Sequence, residues 1–302
     1  MGKIAFVFSG QGDQYPGMGK ELAEQYGAAK SVFEICDGIR PGTSKQCFFG
    51  TEEELKETKN TQPCLFSTEL SAAAALVEEG IRPSAVAGFS LGEVAAMTFA
   101  GAVSLEDGFA IVCKRGELMQ EAADKYDTSM AAVVKLSAET VKEICSRFEN
   151  VYPVNFNCPG QVTVAALSER MADFSAAVKE AGGRAIPLKV KGAFHSPYMN
   201  AASAAFADVL NEKEFVKPEI EIYSNVTAEP YGENIKELLS KQICSPVRWE
   251  EIIRNMIESG IDTFIEVGPG KTLKNMIGKI STDVKAYSVS ELPLILSEVK
   301  SC

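Results

Sequence analysis

The stretch Ser84-Ala85-Val86-Ala87-Gly88-Phe89-Ser90-Leu91-Gly92-Glu93 constrains the fold more than any other. SAVAGF is short, apolar and suited to a buried strand, and LGEVAAMTFAGA has the Ala, Leu, Met and Glu content of a helix. Between them lies G-x-S-x-G (Gly88, Ser90, Gly92), the pattern of a sharp strand-to-helix turn that lifts a serine Oγ out of the backbone. Only residues without a Cβ allow so tight a turn against neighbouring chain. The helix that follows aims its N-terminal amides toward Ser90, which favours negative charge developing there. The pattern also occurs in ordinary surface turns, so the reading of Ser90 as a nucleophile depends on the rest of the chain.

Serine chemistry requires a base, and the chain of 302 residues holds a single histidine, His195, in Lys191-Gly192-Ala193-Phe194-His195-Ser196. A lone histidine is commonly a satisfied structural residue. Here it stands beside a glycine, before a helix start and at a change of texture, where its neutral ring can take a proton from Ser90 and return it. The loop Ser9–Gly19 follows an apolar strand (Lys3–Phe8) and precedes a helix expected from Glu21 to about Ile35. Gly10-x-Gly12 lacks the third glycine of a dinucleotide fingerprint, and there is no G-K-[ST]. Backbone amides lining an oxyanion site are the better use of that loop beside a serine nucleophile.

An Ala-rich helix is expected after Pro63, stopped by Gly80, and Ser104-Leu105-Glu106-Asp107 opens another that runs to about Ala123. On that helix Ile111, Val112, Arg115, Leu118 and Met119 share one face. A guanidinium on an apolar stripe needs an anion: an internal carboxylate, or a substrate carboxylate gripped by the planar fork.

From about Asp127 the pattern reads strand, helix, two strands about Cys158-Pro159-Gly160, helix, strand. That is the split βαβ of a ferredoxin-like subdomain spanning 127–191, inserted into an α/β body made of 1–126 and 192–302. Further strands are expected at Ile220–Ser224 and Thr263–Val267, a helix after QICSPVRW, and a turn at Gly268-Pro269-Gly270; the tail after about Ser290 gives no signal. Clefts between two such bodies commonly hold sites.

Composition narrows the classes. The net charge of −11 argues against general nucleic-acid binding. Eight scattered cysteines without a C-x-x-C pair, and one histidine, leave few ligands for zinc and fit reduced thiols in a cytoplasm. The N-terminal apolar run is too short for a signal peptide, and no stretch is long enough to cross a membrane.

GQGDQ, GFSLGE, R-G-x-x-M at Arg115–Met119, NFNCPGQV, GAFHS, Q-x-x-x-PVRW and EVGPGK occur in this order. Together they resemble the malonyl-CoA:acyl carrier protein transacylases of fatty acid synthesis over roughly residues 3–280. The resemblance implies a hydrolase-like α/β large domain with an inserted ferredoxin-like small domain, and a ping-pong transfer with no cofactor and no metal. Ser90 would take the malonyl group from malonyl-CoA with His195 as base, and the backbone amides of Gln11 and Leu91 would hold the oxyanion. Arg115 would bind the malonyl carboxylate, Gln242 would organise the site near His195, and a main-chain carbonyl near Gln242 would replace a third acid. Asn155, Asn157 and Met119 match positions near the cleft. Holo acyl carrier protein would then accept the group, and a monomer is the expected state.

Phe89 departs from the family, which usually carries histidine before the serine, so the packing beside Ser90 is open. Phe194 fits the malonyl-selective form. Lys189 and Lys191, with Lys271 and Lys274 behind them, are the candidates for meeting an acidic carrier protein, if they are not simply solvated lysines. Three other readings stand: a serine thioesterase, an impaired carrier-binding module, and an acyltransferase serving a polyketide assembly line.

Overall fold

The computed structural model describes residues 2–299. Cys302, one of the eight cysteines, lies outside the described residues. Among the described residues nine strands form two sheets. The first holds β1 (Lys3–Phe8), β2 (Ala85–Gly88), β7 (Glu221–Tyr223), β8 (Ile261–Val267) and β9 (Lys285–Ser288) in the order β7-β2-β1-β8-β9, all parallel. The second holds β3 (Thr128–Val134), β4 (Val151–Cys158), β5 (Gln161–Leu167) and β6 (Arg184–Pro187) in the antiparallel order β4-β5-β3-β6. The mixed α/β fold and its ferredoxin-like sheet follow the sequence expectation.

Side-chain alternation along the central strands divides the core. Phe6 and Phe8 of β1, Val86 of β2, and Ile265 and Val267 of β8 face one layer of helices, which includes Thr58–Glu78, Gly92–Phe99 and Leu105–Asp124. Ala5, Val7, Ala85, Ala87 and Phe264 face the other layer, built on Trp249–Glu258 and Thr272–Ile280. Continuous apolar strands are what a parallel sheet covered on both faces requires.

In the second sheet Val133, Val162 and Val164 pack against Val141, Phe174 and Val178 of the helices Ala138–Cys145 and Ser168–Glu180. Its other face, with Met130, Val154 and Ala165, belongs to the core of the large body. Main chain also joins the two: Phe156 N–H donates to Val247 O at 2.8 Å, and Val247 N–H to Val154 O at 2.9 Å.

Two local expectations change, and the tail, which carried none, gains an element. The helix expected from Glu21 to about Ile35 is two, Lys20–Gln25 and Gly27–Ile39, broken where Tyr26 turns extended. The helix expected after Pro63 starts earlier, at Thr58, with Pro63 inside it. Proline's fixed φ suits a helix, and in the turn before it Thr61 Oγ1 donates to the carbonyls of Leu55 and Glu57. Beyond Ser290 the chain forms a short helix, Leu292–Glu298.

In an open parallel sheet, ligands bind beyond the carboxyl ends of the strands. The loops carrying Gln11, Ser90, Asn225 and Gly268 leave β1, β2, β7 and β8 at that edge.

Candidate active site

The turn after β2 is forced by packing. A Cβ on Gly88 would lie 1.9 Å from the Gly92 carbonyl carbon, and one on Gly92 would lie 2.3 Å from Phe8 O. Ser90 therefore sits at φ 56, a backbone region that non-glycine residues rarely occupy. Asn225 braces it: its Oδ1 accepts from Ser90 N–H at 2.8 Å and its Nδ2 donates to Gly88 O at 2.6 Å.

His195 also sits at positive φ, 62, where the chain returns from the small sheet. Its N–H donates to Ile243 O at 3.1 Å, and its Nδ1 lies 2.8 Å from Gln242 O. A carbonyl can only accept, so Nδ1 carries the proton and Nε2 keeps its lone pair. Nε2 lies 2.7 Å from Ser90 Oγ, and the serine hydroxyl donates to it. Burial, and then the Arg115 charge, lower the imidazole pKa from 6.5 to about 4, while the Gln242 and Ser245 main chain pull it upward. The ring is a neutral base at pH 7.

Arg115 is fully buried. Gly116 allows its helix to close on Thr58–Glu78, since a Cβ there would lie 3.1 Å from Lys59 Cα. That approach brings Gln62 Oε1 to 2.8 Å from Arg115 Nη1. Arg115 Nη2 donates to Gln242 Oε1 at 2.7 Å and to Ser90 Oγ at 3.2 Å. Its Nε has no partner, and among the described residues no carboxylate pairs with it directly. The internal-carboxylate alternative is thus unfilled at contact distance. Burial lowers the guanidinium pKa to about 10, with Glu93 pulling it upward, so the charge persists at neutral pH.

Gln242 Nε2 donates to Ser90 O at 2.5 Å and to Glu93 Oε2 at 2.7 Å. Glu93, also fully buried, accepts in addition from Asn225 N–H at 2.7 Å and Tyr231 Oη at 2.8 Å. Burial pushes its carboxyl up to about 7 against the pull of these donors and of Arg115.

Comparison with known proteins gives the family. Residues 5–292 match the family described as acyl transferase domain. The chain is 41% identical over 299 residues to the malonyl CoA-acyl carrier protein transacylase of Bacillus subtilis, covering 96% of this chain and 94% of that protein. The chain belongs to the malonyl CoA-acyl carrier protein transacylases. The solved transacylase of Clostridium perfringens superposes with a TM-score of 0.96 at 37% identity, covering 99% of this chain and 98% of that one. A malonyl-transacylase solved in complex with a type II PKS acyl-carrier protein superposes at 0.95 with 32% identity, covering 99% and 100%.

Within this transacylase fold the other expected residues fall around the same centre. Leu91 follows the serine and is buried, and the backbone amides of Leu91 and Gln11 donate to no protein acceptor among the described residues. The Gln11 side chain reaches Thr58 Oγ1 at 3.2 Å. Met119 meets the site through Gln62, whose Nε2 donates to its sulfur at 3.3 Å. Asn155 and Asn157 line a cavity of about 230 Å³ with Gln11 and Phe89, and the Oδ1 of each has no partner. The Phe89 ring packs edge-on against Trp249, centroids 5.6 Å apart, so an apolar contact occupies the place beside the serine.

Gln62, Glu93, Asn225 and Tyr231 were not singled out by the sequence. Glu93 alone carried a signal, standing in the glycine-serine-glycine stretch as a charge on an otherwise apolar helix. Of the candidate docking lysines, Lys191 pairs with Asp124 at 2.6 Å, and Lys271 and Lys274 pair with Glu291. Among the described residues no group of three or more metal-ligating side chains converges, and no helix is long and apolar enough to cross a membrane.

Proposed function

We propose that the protein moves a malonyl group from malonyl-CoA to the phosphopantetheine thiol of an acyl carrier protein through a malonyl-Ser90 ester. One observation carries this: a buried guanidinium without a carboxylate partner donates to the oxygen of a serine that is hydrogen-bonded to a neutral histidine. A serine hydrolase needs the serine and the base. The waiting cation is the added feature that selects a dicarboxylic acyl group.

Ser90 Oγ attacks the thioester carbonyl and passes its proton to His195 Nε2. The Gln11 and Leu91 amides stabilise the oxyanion, the C–S bond breaks, and the departing CoA sulfur takes the proton. The carrier thiol then gives its proton to His195 and attacks the ester carbonyl, and Ser90 recovers a proton as it leaves. Burial, and then the Arg115 charge, hold the imidazole pKa down. A bound malonyl carboxylate offsets that charge, so the preferred substrate strengthens its own base. The scheme needs no cofactor. The large body (1–126 and 192–302) supplies Ser90, His195 and Arg115, and the insert (127–191) supplies the Asn155 and Asn157 wall.

Intact mass after brief mixing with malonyl-CoA, acetyl-CoA or methylmalonyl-CoA tests the reading, with Ser90→Ala beside it. A malonyl adduct on the unaltered protein only, discharged by holo carrier protein, is expected. Discharge by water as fast as by the carrier thiol would make it a thioesterase. The relative solved with a type II PKS acyl-carrier protein adds a second arm: discharge compared on fatty-acid and polyketide carriers.

A further inference from the structure

We infer that Glu93 is the positioning residue for carboxylate recognition: it fixes the amide orientation of Gln242 and, through it, aims the Arg115 guanidinium. The inference rests on the reading of Arg115 as the site for a substrate carboxylate.

Gln242 stands among three groups. Arg115 can only donate, Ser90 O can only accept, and Glu93 accepts from the amide at Oε2, the role its ionised form is confined to. The amide meets all three in one orientation, with Oε1 toward Arg115 and Nε2 toward Ser90 O and Glu93 Oε2. The fixed oxygen anchors Nη2 of Arg115, as Gln62 anchors Nη1, so the guanidinium plane is held at two corners. The same glutamine orients His195 through its main-chain carbonyl. One residue therefore serves both base and cation, and only its side chain depends on Glu93.

Glu93→Gln isolates that dependence. The new side chain can keep its oxygen toward Asn225 N–H and Tyr231 Oη, which preserves the brace on the serine turn. Its NH₂ would then replace Oε2 and face the Gln242 NH₂, donor against donor. If Gln242 turns over to relieve this, its NH₂ confronts Arg115 and its oxygen confronts Ser90 O. No orientation satisfies all of them, and a mismatched buried polar group is costly.

The experiment measures Ser90 acylation rates with malonyl-CoA and acetyl-CoA. The malonyl-to-acetyl ratio is expected to fall roughly 10- to 100-fold in Glu93→Gln, the size of losing a charge-assisted contact. Glu93→Asp, which keeps the acceptor, should recover most of it. In an Arg115→Ala background Glu93→Gln should change the ratio less than about threefold, because the two act in series. If Glu93→Gln does not fold, Gln242→Met, which breaks the same link, should lower the ratio similarly. A ratio that holds within about threefold, or malonyl and acetyl rates that fall together, overturns the proposal. An unaltered protein without malonyl preference would instead remove the Arg115 reading beneath it.

Discussion

The main-chain carbonyl of Gln242 accepts from His195 Nδ1 at 2.8 Å, in the position where many serine enzymes place a carboxylate. A carbonyl fixes the tautomer without adding charge. With burial and Arg115 acting against protonation, the imidazole should stay neutral far into the acid range. Because the chain has one histidine, its ring resonances need no assignment. An NMR titration should show a neutral Nδ1–H ring with its midpoint near pH 4, and a midpoint at 6 or above would contradict the site's electrostatics.

That shift has a consequence for stability. The unfolded chain binds a proton on histidine near pH 6.5, whereas the native ring does so only near 4. Between those values the unfolded state holds more protons, so this residue makes stability rise with pH, by on the order of 3 kcal/mol across the window. Glu93 and Glu266, both pushed up to about 7, act in the opposite sense. The His195 contribution is therefore read as a difference. Relative to His195→Asn, the unaltered protein should lose stability as pH falls from 6.5 to 4, and parallel Tm curves for the two would refute it.

Arg115→Ala should lower malonyl loading and raise the relative acceptance of acetyl-CoA. The charge-assisted contact it removes corresponds to roughly 10- to 150-fold in selectivity. Competition between the two donors, read by adduct mass, gives the ratio directly. An unchanged preference would show that the carboxylate is held elsewhere.

Gln62→Leu should weaken the same selectivity while leaving Arg115 in place. It frees Nη1, leaving a buried donor unsatisfied, and removes the amide on Met119. A rise in KM for malonyl-CoA exceeding any fall in kcat is expected, since binding geometry is disturbed and the Ser90–His195 contact is not. A loss confined to kcat would argue against this role.

What the chain disclosed follows the range of the interactions. Strand alternation and the glycines of the serine turn are local, so the split βαβ and Ser90 were legible. His195 stood out because serine chemistry needs a base and one histidine exists. Gln62, Asn225 and Tyr231 acquire their roles from partners 53, 135 and 138 residues away, which no local pattern encodes. Pro63 misled for a related reason. Proline punctuates short-range signals, yet the helix around it is held by burial along most of its length. The pairing of Lys191 with Asp124, 67 residues apart, was equally hidden.

The serine turn offers a last test, because two glycines in helices face opposite surroundings. A Cβ on Gly92 would press on Phe8 O at 2.3 Å and Ser9 O at 2.5 Å, both main-chain atoms that cannot rotate away. Gly92→Ala must push the turn from β1, separating Ser90 from the Gln11 loop. A stability cost of about 1–3 kcal/mol is expected, with Ser90 acylation falling at least 100-fold. Gly278, in the helix Thr272–Ile280, has open space where a Cβ would go. Gly278→Ala should therefore leave acylation intact and raise stability by up to about 1 kcal/mol through helix propensity alone. Equal effects at the two positions would mean that close approach at the turn is not what holds Ser90 in place.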